Sequence, residues 1–379
     1  MFHLHLSAEG GVQFKSILFI PEKNMEFLGL SMVEHGLSLY SNKIMIQQEC
    51  EFLMPKYLRF VRGVVDSEDI PLNVSRETIQ DDINIRKIKK VLMGKFFTFL
   101  EETAEKEKEK YDKFWVEFGR MIKEGFTQDF EYRERLKELL RFHSSLAKNK
   151  EELISLKEYV AAMKEGQSEI YYLSGPSLDA IGKSPHLEIF KKKEIPVLFV
   201  TDPLDDLVMS HLMEYNGKKV KTADQANLDL LAGDKDKKED ENKEKSETDK
   251  SFMDFLAKVK TVLTGKIQDA VESKRLTDSP CILVNPDGSM SSHMQKILKA
   301  VNKDYQMSPK ILEINKNHAL VKNLVEILEA KKNELFVDEA IQLLFDSALM
   351  LDGYLDNPAD TIQRMNRILE TSTRYYVEK

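Results

Sequence analysis

The most chemically distinctive stretch of the sequence is residues 61–80, VRGVVDSEDIPLNVSRETIQ. Asn73 and Ser75 are candidate caps for a helix that begins near Arg76. The helix dipole disfavours a cation in the first turn by roughly a few tenths of a kcal/mol, unless an anion uses both the guanidinium and the free N–H groups. Gln80 lies one turn later on the same face, so its amide can reach the same ligand. This spacing indicates an anion-binding site.

A purely structural interpretation of Arg76 stays open. The guanidinium can instead pair with Glu77 or with the acidic loop at residues 66–69, and Gln80 is then an ordinary surface residue. No phosphate loop, dinucleotide fingerprint, esterase elbow or zinc-protease motif occurs in the sequence. The sequence therefore contains no common catalytic motif beside this candidate anion site.

Two apolar patterns near the C-terminus are candidate binding surfaces. A predicted amphipathic helix over residues 290–301 carries Met290, Met294, Ile297 and Leu298 on one stripe, which is typical of core packing. The two terminal helices predict half of a four-helix bundle and hence a homodimer, unless they only close the core of their own domain. The candidate dimerisation residues on these helices are Leu344, Leu351, Ile362, Met365, Ile368 and Leu369.

Composition limits the possible classes of protein. The chain has 379 residues, 42% of them hydrophobic and 32% charged, which favours two or three globular domains. The formal charge of −8 gives no net attraction to nucleic acid or anionic lipid, and we expect neither as a partner. Cys50 and Cys281 form no disulfide framework or zinc motif, and His3 and His5 make at most a weak metal site, so we expect no metal. A reducing, cytoplasmic location fits these features.

The elements that must position these residues form an alternating pattern. Strands are predicted at residues 14–21 and 38–47. A helical pattern over residues 79–118, interrupted by the charge-dense residues 101–113, follows as in a sheet packed with helices. A second, small parallel α/β unit is predicted from residue 155, with strands IYYLSG and PVLFVTD around a helix at residues 176–193. Residues 234–250 are charged at 14 of 17 positions and predict a solvated linker. A helix over residues 251–271 and a strand at CILVNP follow, and Asn357 with Pro358 predicts the start of the last helix.

The segment at residues 61–80 resembles the middle-domain signature of the heat-shock protein 90 chaperone family. Five further strings resemble the same family in the same order. They are HLSAEGGVQFKSILFIP, FWVEFGRMIKEG, SLKEYVAAMKEGQSEIYYLSG, RLTDSPCILV and LEINKNHALVK. The resemblance covers nearly the whole chain and is greatest to bacterial members of the family.

The resemblance implies a multidomain α/β and α+β architecture. It implies a middle domain at residues 1–232, made of a first lobe of ribosomal protein S5 domain 2-like fold at about 1–110, a helical connector at 111–150 and a second α/β lobe at 151–232. A charged linker at 233–250 and an α+β dimerisation domain at 251–379 follow. The family's N-terminal ATP-binding domain is expected to be absent, so we expect this chain alone to bind no ATP and to be inactive as an ATPase.

The resemblance also assigns roles to the candidate residues. Arg76 is implied to contact the γ-phosphate of ATP and Mg²⁺ held by an N-terminal ATPase domain, with Gln80 and Asn73 in support. The helix that starts at Met290 is implied to bind unfolded client polypeptides, together with Leu207, where the family pattern has a tryptophan. The implied function is a molecular chaperone of the stress response, and the alternative is a dimerisation scaffold without chaperone activity.

Overall fold

A computed structural model of the chain describes residues 1–24, 26, 36–71, 82–225, 247–302, 305, 308–355 and 357–377. These residues form three β-sheets and twelve α-helices, which confirms the predicted mixture of helix and sheet. The chain divides into two compact units, Met1–Phe142 with Leu153–Glu158, and His143–Glu152 with Tyr159–Lys379. The domain boundaries given above stay predictions.

The first unit contains a five-stranded sheet of order β1-β2-β5-β3-β4. Its strands are β1 (Phe2–Ala8), β2 (Phe14–Ile20), β3 (Leu37–Ser41), β4 (Ile44–Cys50) and β5 (Arg62–Asp66). Burial alternates along β2, where Leu18 is buried and Phe19 is 49% exposed, so one face of the sheet contributes to the core. Gly63 lies where β5 approaches β2, and its φ of 149° suits only glycine.

Three helices accompany this sheet: α1 (Ile83–Lys106), α2 (Lys108–Gln128) and α3 (Arg133–Leu139). A fourth, α4 (Leu156–Ala161), begins in the first unit and ends in the second. Asp82 caps α1 by accepting hydrogen bonds from the backbone N–H groups of Asn84 and Ile85. The core contains an aromatic cluster in which Phe114 contacts Phe2, Phe60 and Phe118. The interruption predicted at residues 101–113 of the helical pattern is confirmed, because the helix breaks at Glu107 and restarts as α2.

The second unit begins with a sheet of order β6-β8-β7-β10-β9, in which β8, β7 and β10 are parallel. Its strands are β6 (His143–Ser144), β7 (Glu169–Ser174), β8 (Val197–Val200), β9 (Glu214–Tyr215) and β10 (Lys218–Thr222). Its helices are α5 (Leu178–Gly182), α6 (Glu188–Lys193) and α7 (Pro203–Leu212). The predicted parallel α/β unit is confirmed, but its first helix is broken, since Lys183 ends α5 and Pro185 starts a short 3-10 turn before α6.

The same unit continues with a three-stranded sheet of order β11-β13-β12. Its strands are β11 (Asp269–Glu272), β12 (Cys281–Val284) and β13 (Ile311–Ile314). Its helices are α8 (Glu247–Val262), α9 (Ser292–Val301), α10 (Ala319–Glu329), α11 (Glu334–Asp352) and α12 (Pro358–Val377). Phe255, Val259, Leu312, Val321 and Ile341 are fully or almost fully buried in the shared core of this part.

Two further predictions of elements were wrong. Residues 38–47 form a hairpin rather than one strand, because Asn42 and Lys43 adopt positive φ and turn the chain from β3 into β4. The helix predicted over residues 251–271 ends at Val262, and β11 follows after the positive-φ Gly265.

Cys50 and Cys281 are both buried as free thiols. Among the described residues, no helix is both long and apolar enough to cross a membrane.

Candidate functional site

The best-defined candidate site is the outer side of α9. Ser291 caps this helix, since its hydroxyl accepts a hydrogen bond from the backbone N–H of Met294 at 3.2 Å. The helix therefore begins at Ser292, so the prediction that it starts at Met290 was wrong, and Met290 lies just before the cap. Met290 is nevertheless 53% exposed and stays next to the helix.

The most buried side chain of α9 is a polar one. Gln295 is 1% exposed, and its amide nitrogen donates to the side-chain oxygen of Asn285 at 3.2 Å and to the carbonyl of Met290 at 2.9 Å. It is the one residue of α9 classed as fully buried. An amphipathic helix that packs on a core normally buries its apolar stripe. Here a polar side chain takes the buried position, and the apolar stripe is only half-buried.

The apolar stripe of α9 is left accessible. Met294, Ile297 and Leu298 are half-buried, and Val301 at the end of the helix is 82% exposed. On the neighbouring helix α7, Leu207 is 38% exposed. We define the α7–α9 surface as five residues: Leu207, Met290, Met294, Ile297 and Leu298. Apolar side chains that stay exposed or half-buried on neighbouring elements indicate an interaction site.

Asp206 ties α7 to α9. This aspartate is 2% exposed and accepts hydrogen bonds from the hydroxyl of Ser174 at 2.6 Å and from that of Ser291 at 3.0 Å. The Nδ1 atom of His293 makes a further short contact with it. Because Asp206 on α7 has partners from α9 and from β7, it fixes the position of Leu207 relative to α9.

The polar partners Asp206, His293 and Gln295 were not found by sequence reasoning. A signal for Gln295 was available, since Ser292, Gln295, Lys296 and Lys299 share one polar face of α9, which could be buried only against other polar groups. No comparable signal identified Asp206, because its partners Ser174 and Ser291 are distant in sequence.

The candidate anion site lies outside the described residues. Arg76, Gln80 and Asn73 all fall within residues 72–81. On its flanks, the Asp69 carboxylate accepts a hydrogen bond from the backbone N–H of Gln13 at 2.6 Å. The Asp66 carboxylate accepts one from the backbone N–H of Lys43 at 3.1 Å. Asp66 and Asp69, two acids of the loop that is the alternative partner of Arg76, therefore already accept backbone hydrogen bonds.

The candidate dimerisation residues occupy two different environments. Leu344 is 7% exposed inside the core of its own chain, and Ile368 packs against that core. Leu351, Ile362, Met365 and Leu369 are each at least 43% exposed. The buried Asp346 holds the two terminal helices together, since it accepts a hydrogen bond from the Thr361 hydroxyl at 3.1 Å and pairs with Arg364.

Comparison with known proteins decides the family. The family model described as "Hsp90 protein" matches residues 1–378. The chain belongs to the Hsp90 family. The resemblance stated from the sequence is thereby confirmed.

Three relatives show how far the similarity extends, and each is named "Chaperone protein HtpG". The protein from Oleidesulfovibrio alaskensis is 38% identical over 377 residues, which are 99% of this chain and 59% of the relative. That from Desulfitobacterium hafniense is 40% identical over 99% of this chain and 60% of the relative. That from Geobacter metallireducens is 42% identical over 92% of this chain and 53% of the relative. This Hsp90-family chain thus spans less than two thirds of the length of these relatives.

Proposed function

We propose that this chain is the client-holding and dimerising portion of an Hsp90-family chaperone. The observation that carries the proposal is the burial of α9, in which Gln295 is the buried side chain while Met290 is 53% exposed and the rest of the apolar stripe is only half-buried. A surface of this kind fits unfolded or partly folded polypeptides, whose exposed apolar side chains have no fixed shape. The relatives named as chaperones support the same role.

The chemistry of the α7–α9 surface suits clients of many sequences. Met290 and Met294 have unbranched, polarisable side chains that repack against different partners at little cost. The loss of an aromatic side chain at Leu207 lowers the affinity of that part of the surface, because tryptophan is the stronger anchor. Client binding therefore depends mainly on Met290, Met294, Ile297 and Leu298.

Dimerisation through the terminal helices α11 and α12 is the second part of the proposal. Leu351, Ile362, Met365 and Leu369 present exposed apolar groups that a second copy can cover in a four-helix bundle. Leu344 contributes indirectly, since it fixes α11 in the core. Sedimentation across a dilution series should give a dimer for the whole chain and a monomer for a chain that ends before Asn357. A dimer in both cases would place the interface elsewhere.

A third part concerns ATP. We propose that Arg76 contacts the γ-phosphate of ATP and Mg²⁺ held by an N-terminal ATPase domain, with Gln80 and Asn73 in support. A guanidinium and an amide are donors suited to a phosphate oxyanion. Bound ATP supplies the transferable phosphoryl group, and the residues of this chain stabilise its charge and couple hydrolysis to clamp closure. A purified N-terminal domain supplied in trans should hydrolyse ATP faster with this chain and show no stimulation with Arg76→Ala.

The alternative is a dimerisation scaffold that holds no clients. The test is the ability of the chain to suppress aggregation of a heat-denatured protein. The double variant Met290→Ser and Met294→Ser should bind the client about 100-fold more weakly and suppress aggregation correspondingly less, since the two methionine side chains together contribute roughly 3 kcal/mol when a client buries them. Met253→Ser is the matched control, because Met253 is 62% exposed on α8, outside the α7–α9 surface. Equal suppression by all three proteins would favour the scaffold.

A further inference from the structure

A small crevice lies at the carboxyl ends of the parallel strands in the second unit. The chain passes from β7 to β8 on one side of β7 and later forms β10 on the other side, so the strand order reverses at β7. In open α/β sheets this switch point is where ligands bind. A cavity of about 50 Å³ lies here, lined by Ser174 and Gly175 after β7 and by Asp224 after β10.

The other wall of the crevice comes from the last part of the chain. Helix α9 contributes His293 and Lys296, and the end of α11 contributes Leu351 and Asp352. A polar cavity needs roughly 10–15 Å³ to hold one water molecule, so this one has room for a larger group. The crevice therefore has the size and the polar lining of a site for a small ligand.

Two polar groups at the crevice are incompletely satisfied. His186 is 4% exposed, and its Nδ1 atom has no hydrogen-bond partner in the part of the chain that the structure describes. Lys296 has no carboxylate within ion-pair distance among those same residues, although it is half-buried. Burial, together with nearby Lys310, lowers the pKa of the Lys296 ammonium, and the charge of Asp352 only partly opposes this. The Lys296 ammonium lies 4.9 Å from the centre of the Tyr354 ring, but a ring face does not neutralise a partly buried charge as an anion would.

The carboxylates around the crevice are already occupied. Asp224 accepts from the Asn285 amide at 2.8 Å and from the backbone N–H of Ser292 at 2.9 Å. Asp352 pairs with Lys310 at 3.1 Å, and its other oxygen lies 3.5 Å from Nε2 of His186. These acids therefore have donors of their own, whereas Lys296 lacks an acceptor.

We propose that this crevice binds a small phosphate-type oxyanion between Lys296 and His186. The Lys296 ammonium donates to an anionic oxygen. In the neutral tautomer of His186 that has its proton on Nε2, the nitrogen facing Asp352, Nδ1 is a hydrogen-bond acceptor. The O–H of a hydrogen phosphate can donate to this Nδ1 atom. A carboxylate has no such O–H, so acetate should bind more weakly. The site does not depend on the client-binding proposal.

The test is a titration of the whole chain, labelled at isoleucine methyl groups, with sodium phosphate at constant ionic strength. The Ile181 methyl, which lines the crevice, should show a saturable shift in its resonance. Lys296→Met should weaken binding about ten-fold or more, whereas Lys322→Met, an exposed lysine on α10, should leave it unchanged. A sodium chloride titration that reproduces the shift, equal affinity in Lys296→Met, or an absent shift would each overturn the proposal.

A second measurement needs no variant. Reductive methylation of the unaltered chain, followed by peptide mass spectrometry, reports the reactivity of each lysine amine. Phosphate should slow modification of Lys296 several-fold, acetate should slow it less, and neither should change Lys322. Equal modification of Lys296 with and without phosphate would contradict the site even if Lys296→Met did not fold.

Discussion

Glu188 provides the sharpest prediction about how the second unit is held together. This half-buried carboxylate starts α6 and accepts three backbone N–H hydrogen bonds, from Thr277 at 2.6 Å, Asp278 at 2.9 Å and Ser279 at 3.1 Å. These residues belong to the RLTDSP string, and Asn315 holds the same loop by donating to the Ser279 carbonyl at 3.1 Å. Glu188 thus joins the α/β part of the unit to the loop before β12.

The perturbation is Glu188→Gln. Each hydrogen bond to a charged group contributes roughly 1.5–3 kcal/mol, but partial exposure favours the lower value, and a glutamine oxygen still accepts some of the bonds. We therefore expect local stability to fall by about 2 kcal/mol, which corresponds to roughly 30-fold faster opening of the loop. Hydrogen exchange of a peptide that covers residues 275–282 measures this directly.

The matched control is Glu194→Gln, because Glu194 carries the same charge but pairs with Lys164 on the surface, where its side chain is 77% exposed. That change should leave exchange at residues 275–282 as it is. Equal exchange in the unaltered chain and Glu188→Gln would refute the reasoning, since it would mean that the three N–H groups are protected without the carboxylate.

The effect should also depend on pH. Burial tends to raise the pKa of Glu188, but the donors of Ser279, Asp278 and Thr277 outweigh it and lower the pKa below its ordinary value. A carboxylate with a lowered pKa in the folded state stabilises that state above its ordinary pKa, and the stabilisation is lost as the pH falls through the lowered value. The difference in loop stability between the unaltered chain and Glu188→Gln should therefore be full at neutral pH and vanish in acid.

Three further substitutions test the packing. Gly63→Ala should destabilise the first unit by about 3 kcal/mol or more in urea unfolding, because φ is 149° and an added Cβ would lie 2.1 Å from the Ile17 carbonyl oxygen. An unchanged midpoint of the urea unfolding curve would contradict this. Phe114→Ala should cost about 3–5 kcal/mol in the same assay, since its ring is fully buried in the aromatic cluster, and a cost below about 1 kcal/mol would mean that the cluster collapses around the gap. Asp346→Ala should lower the stability of α12 by about 2 kcal/mol, because Arg364 and Thr361 lose their acceptor, and faster hydrogen exchange confined to α12 checks it.

Much of the fold followed from local sequence patterns. The buried strands at Phe14–Ile20 and Cys281–Val284 and the capped start of α12 at Pro358 were predicted because their signals lie within a few residues. The hairpin at Asn42 was missed because the turn requires positive φ at two residues that are not glycine. The early end of α8 at Val262 was missed because residues 263–271 remain apolar enough to continue a helical pattern.

The candidate site was predictable only in part. The stripe of Met290, Met294, Ile297 and Leu298 can be recognised from spacing, but spacing does not say whether a stripe is buried or exposed. That depends on Gln295 and its partner Asn285, which lies across a loop of the fold. The roles of Arg76, Gln80 and Asn73 stay predictions, since these residues are outside the described part of the chain.

The most direct test of the central claim places a photo-crosslinking amino acid at position 294 and, as a control, at position 253. Each purified chain is irradiated with a permanently unfolded model protein and with the same protein in its folded form. The account predicts crosslinks from position 294 to the unfolded form alone and few from position 253. Equal crosslinking from both positions, or crosslinks from neither, would contradict client binding by the α7–α9 surface.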